Sequence, residues 1–406
     1  MTLGPRFRRL WTVSVTSNIG DGLYMTAVPL LASNLTRDPL LVSGVTAGLF
    51  LPWLLFALPG GALVDRMDRR SAMARTGLFR SVVLGGLTLI VGLDMASIVI
   101  VYVAVFLLGS AETIYESAAR AMLPAVVEQR DLDSGNGKLQ GAQVIAQEFV
   151  GPPAAGVLFA VSAGLPLLIG TVAFGIAVWL ISTMRGSYLP SRESAQPPNL
   201  RREIAEGLHW LRGNRLVRRL ALFGGVFGLA NGATNGVLVL FALEILGLDE
   251  TGFGLLIAGL TIGSVLGTVS AAPLARRFGR GPALLVAFAI GAIGYAGLGL
   301  SSHPVVACAF FAVGGWAVMV ANVLTMSIRQ TLIPEQLFGR VQGAWRTIAW
   351  GTVPVGALAG GALARIAGLR APILAQAAAF VVILVVAWPL LRNLPDSEPE
   401  QTPATV

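Results

Sequence analysis

The chain has 406 residues, 55% of them hydrophobic and only 12% charged, with mean hydropathy +0.74, more apolar surface than a soluble fold of this length can hide. A formal charge of +8 would suit a nucleic-acid partner in a soluble protein, but here the basic residues are segregated along the chain in the manner of membrane topology, so no nucleic acid is expected. Cys308 is the single cysteine and His209 and His303 the only histidines, which excludes internal disulfides and leaves no cysteine or histidine metal centre or histidine-based hydrolase.

A helix needs about 20 apolar residues to cross the hydrocarbon core. Such stretches read at 10–33, 40–63, 72–93, 97–119, 137–160 and 165–186, then at 219–243, 252–275, 282–300, 305–328, 339–363 and 371–391. They are Ala/Leu/Gly-rich and lack the ten-residue alternation of an outer-membrane strand, and in lipid every backbone polar group must pair within its own segment. The expected fold is an all-α integral membrane protein, twelve transmembrane helices in two six-helix bundles. Residues 1–186 form the first bundle, 187–218 a cytoplasmic central loop, 219–391 the second bundle and 392–406 a disordered tail. With the N-terminus inside, the basic residues of the connections, from Arg6, Arg8 and Arg9 through Arg69, Arg130, Lys138, Arg212 and Arg277 to Arg340, fall on the cytoplasmic side; Arg37, Arg365 and Arg370 alone lie outside. The run after Arg6 to Arg9 is interrupted by Asn18 and Asp21 and is followed by no small-residue cleavage site, so it is read as a retained first span, not a signal peptide.

Taken in chain order, the first span carries Ser14, Asn18 and Asp21 at near-helical spacing, a polar stripe expected to face a central cavity. A charge at mid-membrane is expensive and marks a site by default, which makes Asp21 the first candidate for proton coupling; the plainer alternative is a buried acid pairing a structural arginine. Span two adds the aromatic residues Phe50 and Trp53 and ends in Gly61-Ala62-Leu63-Val64-Asp65-Arg66-Met67-Asp68-Arg69-Arg70. This run resembles the G-x-x-x-D-R-x-G-R-R loop between the second and third helices of the major facilitator superfamily, with Asp68 in place of the second glycine. The resemblance implies a cytoplasmic conformational latch. In it Gly61 permits close helix approach, Asp65 pairs with an arginine or a helix N-terminus, and Arg66, Arg69 and Arg70 meet inner-leaflet phosphates of the membrane lipid. A basic loop that only sets topology is the alternative.

Span four places Glu112, Glu116 and Arg120 at i, i+4 and i+8. Glu116 and Arg120 can pair directly, which assigns Arg120 to the latch and leaves Glu112, without an intrahelical partner, as the better proton carrier. In span five Glu148 stands beside Gln147, with Gln143 a turn away; a desolvated carboxyl group there is suited to reversible protonation unless Arg80 or Arg346 neutralises it permanently. The segment that follows, Gly151-Pro152-Pro153-Ala154-Ala155-Gly156, resembles the G-P-x-x-G-G segment of exporters of the same superfamily, which makes Gly151, Pro152 and Gly156 a gate helix able to bend and pack closely.

The one long connection opens on a Pro- and Ser-rich breaker run at 190–199 and continues with Leu200, Ile204, Leu208 and Leu211 at helical spacing, either a short helix on the inner membrane surface or a solvated linker. Beyond it, Asn231 and Asn235 on span seven, Met319 and Asn322 on span ten, and Phe227, Trp345 and Trp350 complete a greasy substrate cavity together with Asn18, Phe50, Trp53 and Gln147. The second-half loop reads Ala272 to Arg280, with Arg276 where the first copy has its acid, so that copy latches weakly. The halves echo one another: Arg120-x-x-Leu123-Pro124 recurs as Arg329-x-x-Leu332-Ile333-Pro334, Gln140-Gly141-Ala142 as Gln342-Gly343-Ala344, and Pro152 as Pro354.

Together with Asn18-Ile19-Gly20-Asp21-Gly22, Glu203 to Leu211 and Pro334 followed by Gly339-Arg340-Val341, these motifs resemble the drug and siderophore exporter branch of the superfamily, which includes the enterobactin exporter and actinobacterial multidrug pumps. The only lysine, Lys138, precedes Leu139, so no G-K-[ST] phosphate loop exists and energy must come from a gradient. The expectation is a transporter and not an enzyme: a cytoplasmic-membrane, multi-pass monomer with both termini cytoplasmic and no cofactor. It would export hydrophobic or amphipathic small molecules by proton antiport and alternating access, with coupling through Asp21, Glu112 and Glu148. A siderophore or metabolite exporter is the alternative within transport, and a non-transporting membrane sensor the alternative outside it.

Overall fold

The computed structural model describes residues 3–64, 67–184, 186, 188 and 209–392. Among them twelve long helices follow one another: α1 (Gly4–Leu35), α2 (Pro39–Val64), α3 (Arg69–Gly92), α4 (Ile98–Met122), α5 (Leu132–Gln143, a π-helical segment Val144–Val150, then Gly151–Val161) and α6 (Gly164–Ser182). In the second half come α7 (Arg215–Leu240, ending in the π-helical turn Phe241–Ile245), α8 (Glu250–Phe278), α9 (Arg280–Leu300), α10 (Pro304–Leu332), α11 (Glu335–Ala367) and α12 (Arg370–Leu391). Each span read from the sequence coincides with one of these helices to within a few residues, and no strand occurs among the described residues.

Their ends carry the capping chemistry that terminates a helix in a polar boundary. Asp68, Ser97, Asn214 and Asp249 accept backbone N–H bonds at the starts of α3, α4, α7 and α8, and Pro304 sits in the first turn of α10. Along the sides, Val82, Leu89, Val99, Val157, Val172, Trp179, Val269, Ile293 and Val385 are exposed; so much outward-facing apolar surface is the lipid-contacting belt of a membrane bundle.

Among the described residues eleven helices are long and apolar enough to cross a bilayer by length and composition alone, and α1 is not one of them. Ser14, Thr16, Ser17, Asn18 and Asp21 dilute its hydropathy. Its 32 residues nevertheless suffice, and it packs against α5 and α6, so protein covers its polar side.

Within the first half α3 lies against α4 and α6, and α2 against α4; within the second, α9 lies against α10 and α12, and α7 against α11. Small residues set these distances. A Cβ at Gly228 would run into the Ala349 carbonyl and one at Gly232 into that of Val353, so α7 and α11 touch backbone to backbone.

Between the halves the principal contacts are α2 with α11, α5 with α8, and α2 with α7. The first two exchange when each helix is replaced by its counterpart six places on, as a pseudo-two-fold between parallel halves requires. Many of the contacts fall toward the face that carries the α1–α2, α7–α8 and α11–α12 turns, here called the turn face. There Asp38 pairs with Arg365 at 3.2 Å and Arg37 with Glu244 at 3.7 Å, and Ser43 lies against Gly236 and Gly361.

The amphipathic segment at 200–211 lies outside the described residues except for its end, where 209–213 are helical. Leu211 is buried there beside Val217, Ala221, Ile333 and Val341, so this end docks on the second bundle. The tail beyond residue 392 also lies outside the described residues.

Candidate functional site

Arg80 stands alone as a charge in the apolar middle of α3, and the protein brings two acids to it. Its Nη2 donates to Asp21 Oδ1 on α1, and its Nη1 lies 2.9 Å from Glu112 Oε2 on α4 and 3.3 Å from Ser17 Oγ. The guanidinium carbon is 4.0 Å from the ring centroid of Phe174 and 5.2 Å from that of Tyr115, which gives the cation aromatic faces in place of water. The Arg80 side chain is 0% exposed, Asp21 3% and Glu112 19%; Glu112 is therefore the member in contact with the outside of the cluster.

One expectation changes here. Asp21 does not face a central cavity. Ser17 and Asp21 share a face turned into the first bundle, while Ser14 and Asn18, half-buried and joined by a 3.4 Å hydrogen bond, lie on a neighbouring one. Glu112 has no partner within its own helix, as read from the spacing, but Arg80 reaches it from α3. Two carboxylates share one guanidinium, so the cluster carries one net negative charge when both acids are ionised and none when one is protonated. Arg80 was legible as an intramembrane charge by the same rule that marked the acids; Ser17, Tyr115 and Phe174 carried no such signal.

The other candidate carrier differs. Glu148 is half-buried, and its carboxylate has neither an ion pair nor a hydrogen bond among the described residues. Arg80 is committed to Asp21 and Glu112, and Arg346 stands over the Trp53 ring at 5.9 Å. Gln143 and Gln147 bond each other at 3.3 Å, and Gln147 Nε2 lies 3.3 Å from Met25 Sδ. Glu148 sits inside the π-helical segment of α5 immediately before Gly151. Gly151 packs on Gly22 of α1, Gly254 of α8 packs against the Pro152 carbonyl, Gly156 meets the Glu250 carbonyl of α8, and Thr261 of α8 donates to the Glu148 carbonyl at 2.9 Å. Gly151, Pro152 and Gly156 thus lie just after a break in helical register on the seam between the halves.

Glu116 and Arg120 form the i, i+4 pair read from their spacing. Of the latch residues, Asp65 and Arg66 lie outside the described residues, and Gly61 lies near the end of α2. Arg70 donates to the Ser182 carbonyl at 2.9 Å, so it ties α3 to the end of α6. Asp68, in the family's glycine position, accepts from Ser71 N at 2.9 Å and from Tyr188 N at 2.8 Å. Desolvation pushes its carboxyl up, but these hydrogen bonds together with the Arg70 charge outweigh it and hold Asp68 below the ordinary aspartate range.

The expected single cavity is divided. A cavity of about 220 Å³ lies wholly in the second half, walled by Phe223, Phe227, Asn231, Phe288, Ala321, Asn322, Thr325, Trp345, Trp350, Phe380 and Ile383 among others. A smaller one of about 110 Å³ lies between the halves, walled by Trp53, Leu54, Ser117, Gly343, Arg346, Thr347, Trp350 and Gly351. Trp350 borders both, and Phe50 stacks on it at 5.9 Å. Of the expected lining, Phe227, Asn231, Asn322 and Trp345 belong to the larger cavity and Trp53 to the smaller. Asn18, Phe50, Gln147, Asn235 and Met319 line neither: Asn235 is turned back onto Asn231 at 2.8 Å, and Met319 faces Gly267 of α8. Phe223, Phe288, Phe380 and Ile383 were not foreseen, since apolar residues on a buried helix look alike in sequence, and neither was Thr325, whose hydroxyl bonds back to the Ala321 carbonyl of its own helix. Among the described residues no cluster of metal-ligating side chains occurs.

The profile of the family described as transmembrane secretion effector matches residues 4–405. The enterobactin exporter EntS of Shigella boydii serotype 4 is 25% identical over 345 residues, which cover 84% of this chain and 81% of that protein. Among solved structures, a mutant of the nucleoside transporter NupG superposes with TM-score 0.81 at 12% identity over 95% of this chain and 100% of its own. A bacterial homologue of the iron transporter ferroportin in the inward-facing state gives 0.73 at 16% identity, covering 96% and 99%; the outward-facing state with soaked iron gives 0.60 at 17%, covering 94% and 98%. Twelve helices in two parallel-repeat halves, the loop after α2 and the profile match agree: the chain is a multi-pass membrane transporter of the major facilitator fold and belongs to the transmembrane secretion effector family.

Proposed function

We propose that this protein is a secondary active exporter of hydrophobic or amphipathic small molecules, of the drug-efflux kind, driven by proton antiport and working by alternating access with both termini in the cytoplasm. The observation that carries the reading is the sharing of Arg80 between Asp21 and Glu112. An uncompensated negative charge inside the membrane is costly, so the ionised cluster favours a state that relieves it. One proton removes the charge and the bias, and Glu112, at the exposed margin, is the entry point for that proton. Glu148, in the irregular stretch of α5 against α8, is a second protonation site at the seam that must move.

Substrate is assigned to the second-half cavity, whose aromatic walls suit an apolar body and whose Asn231 and Asn322 offer neutral hydrogen bonds. Contacts concentrated on the turn face, and the better fit to an inward-facing relative in fold than to its outward-facing form, support a state open toward the cytoplasm once the termini are placed there. A siderophore exporter is the second reading, favoured by the enterobactin exporters among the relatives.

In proteoliposomes, an imposed pH gradient should drive uptake or release of a hydrophobic dye by the wild type; flux indifferent to the gradient would remove proton antiport, and no flux of any substrate would favour a sensor. A susceptibility panel of drugs and iron-limited growth, run with and without the protein, separates the two substrate classes.

A further inference from the structure

The two halves treat the same arginine differently. When Arg120-x-x-Leu123-Pro124 is aligned with Arg329-x-x-Leu332, Glu116 falls on Thr325 and Glu112 on Ala321. The first half keeps its acids, with Glu116 paired to Arg120 and Glu112 to Arg80. In the second half both acids are gone, and Ala321 and Thr325 form part of the cavity wall.

Arg329 itself remains and is buried, 2% exposed. Its Nε donates to the Thr325 carbonyl at 3.2 Å, its Nη1 to Gln342 Oε1 at 2.8 Å, and its Nη2 faces Met326 Sδ at 3.6 Å. All three acceptors are neutral, and no carboxylate among the described residues pairs with it. The guanidinium carbon lies 3.6 Å from the ring centroid of Trp345, which spreads the charge over an aromatic face but does not cancel it. Guanidinium does not shed its proton in proteins, so the cation persists, buried and uncompensated, beside a cavity with which it shares two neighbours, Thr325 and Trp345. A buried cation of this kind is retained at a cost that no carboxylate of its own half, among the described residues, offsets.

We propose that the missing counter-charge is supplied by the ligand: Arg329 receives the anionic group of an amphipathic substrate whose apolar body lies among the aromatic walls of the cavity. The planar guanidinium has five N–H donors, and a carboxylate or similar oxyanion can take two in parallel. The ligand class is thus an aromatic or aliphatic organic anion. This inference rests on the assignment of the second-half cavity as the substrate site.

The test uses the full chain purified in detergent, with energy transfer from tryptophan to dansylglycine and to its uncharged methyl ester. The wild type should bind the carboxylate at least about tenfold more tightly than the ester. Arg329→Gln should bring the two probes to within about threefold of each other. Thr325→Glu, which rebuilds the first half's pair beside the arginine, should do the same, and it carries the test alone if Arg329→Gln does not fold. Equal affinity of the wild type for both probes, or a preference that survives both substitutions, overturns the anion site but leaves the cavity assignment standing. Failure of both probes to bind overturns the two together.

Discussion

The Arg80 guanidinium of α3 and the Asp21 carboxylate of α1 form an ion pair sealed inside the first bundle, and Glu112 of α4 shares the same cation at 2.9 Å. One positive charge cannot satisfy two carboxylates, and the remainder of one negative charge is the quantity a proton can remove.

Asp21→Asn leaves Arg80 and Glu112 as a balanced pair with no excess negative charge for a proton to remove. Gradient-driven efflux in everted vesicles should fall by at least about tenfold, with the amount of protein in the membrane unchanged. Undiminished pumping would take Asp21 out of the mechanism.

Arg80→Gln leaves two buried carboxylates side by side. Breaking a buried pair from the cationic side costs about 3–5 kcal/mol, so the midpoint of thermal unfolding in detergent should drop sharply. Adding Asp21→Asn to Arg80→Gln removes one of the stranded charges and should recover part of the loss, because contacting residues are not additive. A double variant no more stable than the single one would contradict the shared-cation arrangement.

On the turn face, Asp38 and Arg365 are partly exposed, 25% and 61%, and such a pair is worth about 0–1 kcal/mol. Asp38→Asn alone should therefore alter transport only slightly. A covalent tie is different in kind: cysteines at 38 and 365, in a Cys308→Ser background and joined by a cleavable bismaleimide, should stop turnover, and cleavage of the linker should restore it. Continued transport with the link in place would mean that this face does not open.

Asp68 caps α3 through Ser71 N and holds the backbone beyond α6 through Tyr188 N. Asp68→Ala should lower stability by about 1 kcal/mol, the usual loss on removing a helix cap. Its folded carboxyl is held below the ordinary range, so the stabilisation it gives is complete above the unfolded value and is lost as pH falls through the folded one. The difference in unfolding midpoint between wild type and variant should accordingly be constant near neutrality and close up in acid, below the ordinary aspartate range. A gap that widens in acid would have the wrong sign.

What the amino-acid order settled by itself was everything governed by short range and by lipid. A bilayer demands about 20 apolar residues per crossing, so twelve spans could be read directly, and α1 kept its place even with Asp21 in it because the flanking apolar run is long enough. The Glu116–Arg120 pair was legible because the helical repeat alone brings i and i+4 together, and the irregularity near Gly151-Pro152 because proline withholds an N–H. What only the tertiary structure decided was rotation and partnership. Arg80 lies 59 residues from Asp21 in the chain, and its choice of Asp21 and Glu112 over Glu148 depends on which faces of α1, α3, α4 and α5 turn toward one another. The same rotations split the expected cavity, turned Met319 toward α8 and stranded Arg329 beside Trp345. In helices apolar on nearly every side, hydrophobic pattern does not mark an inward face; close packing between small residues sets the rotation instead, and that is a property of two helices in contact, not of either sequence alone.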